Sequence, residues 1–184
     1  TAQVGKTTMM PVAEMSKLEI AAYVQSWLEQ KGIHVVLSGG AATAYYSLNR
    51  YVSGDIDLVN IYSVRYAVIR AAMSEIGFVE MRRYFRHPES NFIVEFPPGP
   101  LTVGIEPVGK VERVELTSGT LRVISATDCV KDRLAAYYHW HEEQCLYQAA
   151  LVRDAADVDM REVERWSRGE GKEMEFQVFR GYQI

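Results

Sequence analysis

The residues best equipped for chemistry are Asp55 and Asp57, in the run Gly54-Asp55-Ile56-Asp57-Leu58-Val59, and the earlier turn Ser38-Gly39-Gly40 at the end of the apolar run Val35-Val36-Leu37. In a strand, residues i and i+2 point to the same face, ~6.5 to 7 Å apart along the chain. The two carboxylates therefore project together while Ile56 and Leu58 turn to the core. Side by side they repel, and a cation relieves that repulsion; oxygen donors of this kind suit Mg2+ or Mn2+. Gly39 and Gly40 offer bare N–H groups at the start of an expected helix over Ala41–Leu48, where the helix dipole and unpaired donors attract anions. That helix is ~12 Å long, and Arg50–Gly54 can span ~17 Å, so the chain can bring Asp55 back beside Gly39. A phosphate cradle next to a divalent-metal site is the minimum equipment for moving a nucleotidyl or phosphoryl group.

A third carboxylate belongs to the argument. Asn91-Phe92-Ile93-Val94-Glu95-Phe96 reads as a short strand rich in β-branched and aromatic residues, with Phe92, Val94 and Phe96 on one face and Ile93 and Glu95 on the other. A charge inside such a run is costly unless paired or bound to metal. On a strand beside Asp57, at ~4.8 Å spacing, Glu95 would complete a three-carboxylate cluster; on an edge strand it would simply face solvent. Lys131 has two readings as well: a solvated lysine one turn into a helix, or the counter-charge of a triphosphate.

The elements that must position these residues follow from periodicity and punctuation. Val12–Lys31 has apolar residues near helical spacing and stops at Gly32. Ile33–Leu37 is a buried strand and Asp57–Ile61 continues the second. Ser63–Ile76 reads as a helix, Phe78–Phe85 as one strand, and His87-Pro88-Glu89-Ser90 as a turn. Pro97-Pro98-Gly99-Pro100 breaks the chain and could wall a pocket. Val111–Leu116 and Leu121–Ile124 form a hairpin whose Lys110, Arg113 and Arg122 are expected on the surface. From Ser125 the pattern is helical almost to the end, opening on a capping-box-like Ser125-Ala126-Thr127-Asp128. His139-Trp140-His141-Glu142-Glu143 lacks the His-Glu-x-x-His spacing of a metal helix and reads as a helix end. Asp159 reads as an N-cap. Gly5-Lys6-Thr7-Thr8 lacks the earlier glycine and strand of a phosphate-binding loop.

At 184 residues the chain has room for one domain with a real core, and 48% hydrophobic and 24% charged residues are ordinary for a globular protein. The expected division is a core over 1–124 and a helical extension over 125–184. A net charge of −4 leaves nucleic-acid binding to a local patch. No apolar run approaches the ~20 residues of a membrane span, and no secretory signal is visible. Cys129 and Cys145 lack metal spacing, so a reducing, cytoplasmic setting is expected.

Together these residues resemble the nucleotidyltransferase superfamily with the DNA polymerase beta-like fold. Its signature is a Gly-Gly or Gly-Ser turn, then Asp-x-Asp on the next strand, then a third acid on a later strand. Here these are Ser38-Gly39-Gly40, Asp55-Ile56-Asp57 and Glu95, where the third acid is usually Asp. The match covers roughly Ile33–Phe96. Thr127–Leu134 is similar to the lysine-bearing helix of compact bacterial nucleotidyltransferases related to the AbiEii and MenT toxins. The resemblance implies an α/β (α+β) fold with a mixed sheet flanked by helices. It also implies transfer of a nucleoside monophosphate from NTP, with pyrophosphate leaving. Asp55, Asp57 and Glu95 would hold two Mg2+ ions, Glu95 would take the acceptor's proton, and Ser38, Gly39, Gly40 and Lys131 would bind the phosphates. The acceptor it implies is RNA such as a tRNA end, or a protein, in a toxin–antitoxin setting with an antitoxin partner. Antibiotic nucleotidyl transfer and a silent nucleotide-binding or interaction module are the alternatives.

Overall fold

Both half-sites lie on one mixed sheet, and its register decides which side chains meet. The computed structural model describes residues 10–184, so Gly5-Lys6-Thr7-Thr8 lies outside the described residues. After a 3-10 turn at Val12–Glu14 come α1 (Lys17–Gln30), β1 (Val35–Ser38), α2 (Gly39–Tyr46), β2 (Asp55–Asn60) and α3 (Tyr66–Glu75). Short strands follow: β3 (Val79–Met81), β4 (Tyr84–Arg86), β5 (Ile93–Glu95), β6 (Thr102–Val103) and β7 (Glu106–Pro107). The hairpin β8 (Val111–Leu116) and β9 (Gly119–Ile124) leads to α4 (Ala126–Trp140), α5 (Glu143–Ala155), α6 (Met160–Gly169) and α7 (Glu173–Gly181). Seven strands make the main sheet in the order β3-β4-β5-β2-β1-β9-β8, while β6 and β7 pair separately. β1 runs antiparallel to β2 and parallel to β9, and β2 runs parallel to β5. This is the mixed α/β architecture that the motifs imply.

The core forms where the period-2 and period-3.6 patterns agree. Ile56, Leu58 and Val94 are fully buried on β2 and β5, as are Ile20, Val24 and Leu28 on α1. The Ser16 hydroxyl caps α1 by accepting from the Glu19 N–H at 3.3 Å. α1 packs on β9, β1 and β2, and α2 packs on β1, β2, α4 and α5. The C-terminal helices share the same core: Trp166 stacks on Tyr138 and donates its indole N–H to the Val103 carbonyl.

Four local expectations are corrected. The stretch Phe78–Phe85 is not one strand but a hairpin, because Arg82 adopts φ 62° and reverses the chain between Met81 and Tyr84. α2 starts at Gly39 itself rather than at Ala41, and α3 starts at Tyr66, three residues beyond the expected Ser63 cap. Arg122 is buried, not superficial, and pairs with Glu29 on α1. At α4 only half of the expected capping box forms: Ser125 Oγ accepts from the Asp128 N–H at 3.0 Å, but the Asp128 carboxylate accepts from the Ser125 hydroxyl at 3.1 Å and not from the Ser125 N–H, which donates to the Lys110 carbonyl.

Candidate active site

Three strands bring the expected residues into a row. Ser38 pairs with Asp57 across β1 and β2, and Asp57 pairs with Glu95 across β2 and β5. Since alternate residues share a face, Asp55, Asp57 and Glu95 lie on the face opposite the buried Ile56, Leu58 and Val94. Neighbouring strands are ~4.8 Å apart, so Asp57 and Glu95 stand side by side.

Gly39 is demanded by this geometry. It takes φ 63°, and a Cβ there would overlap Asp57 Oδ2. A Cβ on Gly40 would come within 2.8 Å of the Ser53 hydroxyl. The two glycines thus let the strand bearing Asp57 and the loop before it close onto the first turn of α2. Thr43 steadies that turn by donating to the Gly39 carbonyl at 3.1 Å, and its hydroxyl is 3.7 Å from Cys129 Sγ on α4.

The electrostatics single out Asp57. Burial, then the neighbouring charges of Glu95 and Asp55, push its carboxyl up to about 6. Among the described residues, no side chain donates a hydrogen bond or an ion pair to the carboxylates of Asp55, Asp57 or Glu95, although the carboxylates of Asp128 and Glu162 are well bonded. Arg133 on α4 draws Asp57 slightly the other way, but its guanidinium is bonded to Asp132 at 2.5 Å and to Gln148 at 3.3 Å. As the side chains stand, no three His, Cys, Asp or Glu among the described residues converge closely enough to hold a metal ion. The donor set nevertheless fits a hard divalent cation: three carboxylate groups on one face, none of them bonded to a cationic side chain among the described residues.

The structure does not bring Lys131 to this face, which corrects the phosphate-binding role expected of it. Its ammonium is bonded to Glu162 at 2.6 Å, lies 3.6 Å from Asp128, and is only 7% exposed. It lines a separate cavity of about 860 Å3 with Tyr46, Lys110 and Asp159. Residues 131 and 133 are ~200° apart around a helix, so the turn that aims Arg133 towards Asp57 aims Lys131 away. Ser38 does remain at the row, lining a small cavity of about 140 Å3 with Asp132, Val59 and Pro98.

Three residues that the sequence left unmarked belong to the neighbourhood. Asp132 and Arg133 adjoin Lys131, and only their helix face reveals them. Lys17 starts α1 with its ammonium 5.7 Å from the centre of the Phe92 ring; burial lowers its pKa, and the charge of Asp55 pulls it back up.

No protein-family model matches the chain, and no curated protein matches it in sequence. Among solved structures, an antigenic nucleotidyltransferase-like protein from Paracoccidioides brasiliensis is similar, with TM-score 0.52 at 17% identity over 74% of this chain and 75% of that one. ANT(2'')-Ia in complex with adenylyl-2''-tobramycin gives TM-score 0.45 at 15% identity over 86% of this chain and 93% of its own. The solution structure of ANT(2'')-Ia gives 0.38 at 14% over 83% and 94%. The first likeness shows the fold alone: this chain has a nucleotidyltransferase-like fold.

Proposed function

We propose that the protein is a Mg2+-dependent nucleotidyltransferase moving a nucleoside monophosphate from an NTP to an acceptor hydroxyl. The observation that carries this reading is the row Ser38–Asp57–Glu95, with Asp57 closed against Gly39 at the start of α2. Asp55, Asp57 and Glu95 would hold the metal, which when bound supplies the positive charge that these carboxylates and a triphosphate need. The Ser38 hydroxyl and the N–H groups opening α2 receive phosphate oxygens and fix the triphosphate beside the row. Glu95 accepts the proton of the acceptor hydroxyl as its oxygen bonds to the α-phosphorus; the bond from that phosphorus to the bridging oxygen breaks, and pyrophosphate leaves with the electron pair. The chain's contribution is positioning and fixed charge.

The test is incubation with each NTP labelled at the α-phosphate, Mg2+, and total RNA or candidate small molecules, following transferred label and released pyrophosphate. Transfer that needs Mg2+ and vanishes in Asp57→Ala is the expected result. Pyrophosphate release or transfer that survives Asp57→Ala overturns the reading.

A further inference from the structure

A line of contacts runs from α4 to the carboxylate row. Cys129 Sγ lies 3.7 Å from the Thr43 hydroxyl, Thr43 donates to the Gly39 carbonyl at 3.1 Å, and Gly39 leaves the space that Asp57 Oδ2 fills. Arg133 stands one turn beyond Cys129 on the same face of α4, since residues four apart on a helix lie one above the other. Asp132, ~100° round the helix, reaches the row from beside it. It lines the cavity of about 140 Å3 with Ser38 and Val59, which share the Asp57 face of β1 and β2.

These two residues of α4 hold one another. Arg133 donates to Asp132 Oδ2 through Nε at 3.1 Å and through Nη2 at 2.5 Å, and the side chains are 17% and 28% exposed. The remaining nitrogen, Nη1, has one longer bond, 3.3 Å to Oε1 of the buried Gln148. The adjacent pair Arg153–Asp154 on α5 differs: there the arginine is fixed independently, by the Phe179 and Tyr182 carbonyls at 2.8 and 2.9 Å. After burial, Glu95 and Asp55, the Asp57 carboxyl feels Arg133, which draws it down, and Asp132, which pushes it up.

We infer that Asp132 is a positioning residue that holds the Arg133 guanidinium off Asp57 and so keeps the carboxylate row open to a divalent cation; the inference rests on the metal-dependent reading above. A guanidinium matches a carboxylate with two parallel N–H donors. One seated on Asp57 would supply from the protein the positive charge that the row otherwise takes from a metal. Asp132 removes that competitor by offering it a carboxylate of its own.

The experiment is a titration of metal-free protein with Mn2+, read as the electron paramagnetic resonance of free Mn2+. Thermal unfolding in EDTA is measured on the same samples. Asp132→Asn is expected to lose about tenfold or more in Mn2+ affinity, because the freed guanidinium turns to Asp57. The double variant Asp132→Asn, Arg133→Met regains wild-type affinity, Asp132→Glu keeps it, and Arg133→Met alone binds at least as tightly as the wild type. Asp154→Asn, which breaks the pair on α5, leaves affinity unchanged. In EDTA, Asp57→Asn melts above the wild type, and it loses that advantage in the Asp132→Asn background. Unaltered Mn2+ affinity in Asp132→Asn overturns the inference. So does a loss that Arg133→Met fails to restore, which would make Asp132 a metal ligand itself. Should Asp132→Asn not fold, Arg133→Met decides alone: weaker Mn2+ binding overturns the inference and equal or tighter binding supports it. Wild-type Mn2+ binding that Asp57→Asn abolishes separates the two readings. With that binding intact, failure at Asp132 sinks this inference alone; a wild type that binds no Mn2+ sinks the metal-dependent reading and this inference with it.

Discussion

Two groups of partly buried acids lie on opposite sides of α4, and they behave differently. Around Lys131, the carboxylates of Asp128 and Glu162 are answered by protein donors. Asp128 accepts from the Gly109 N–H at 3.0 Å and from Ser125, and Glu162 accepts from Lys131 and Arg165, each at 2.6 Å. These contacts hold Glu162 down to about 2. On the sheet face, the carboxylates of Asp55, Asp57 and Glu95 have no such donors among the described residues, and Asp57 is pushed up to about 6. Satisfied charge is structure: it clasps α4 to α6 and to the loop before β8. Unsatisfied charge on one face costs stability, and a fold retains it where a ligand completes the balance.

The contrast breaks first at Asp57. Asp57→Ala should reduce nucleotidyl transfer by about 10^3-fold or more, because it removes the central carboxylate of the row; residual transfer within tenfold of the wild type would erase the distinction between the two groups. Lys131→Met tests the other side. It removes the cation shared by Asp128 and Glu162, which keep their bonds to Gly109, Ser125 and Arg165, and should cost about 1 to 2 kcal/mol in denaturant unfolding, while Mg–NTP affinity remains as in the wild type. A fall in NTP affinity would return Lys131 to the site.

A pH series sharpens the comparison. Asp57 binds its proton more tightly folded than unfolded, so its stabilising contribution is complete below about pH 4 and is lost as pH rises through about 6. In metal-free buffer the wild type should therefore lose about 3 kcal/mol relative to Asp57→Asn over that window. Parallel curves for the two proteins would contradict the buried, uncompensated position of Asp57. A similarly small effect is expected from Gly39→Ala, about 1 to 2 kcal/mol of stability together with weakened metal affinity, since the new methyl displaces the Asp57 carboxylate from a left-handed position.

What the sequence made legible was what alternation and glycine placement encode: β1, β2 and β5, their shared face, and the turn that Asp57 closes upon. Parity alone put Asp55, Asp57 and Glu95 together once β5 lay beside β2. What it hid was rotational. Lys131 and Arg133 look equivalent along the chain, and only the packing of α4 on α2 decides which of them faces the carboxylates. The Arg82-Arg83 turn was hidden for a different reason. No glycine or asparagine marks it, so the stretch from Phe78 to Phe85 looks continuous.

The central claim is that a divalent cation completes the charge balance at Asp57, and thermal unfolding of the wild type and Asp57→Asn, each with and without Mg2+ at neutral pH, tests it most directly. The account predicts that without metal the Asn variant is the more stable of the two, and that Mg2+ raises the wild type alone. Equal responses of the two proteins to Mg2+, or a metal-free wild type more stable than the variant, would contradict it.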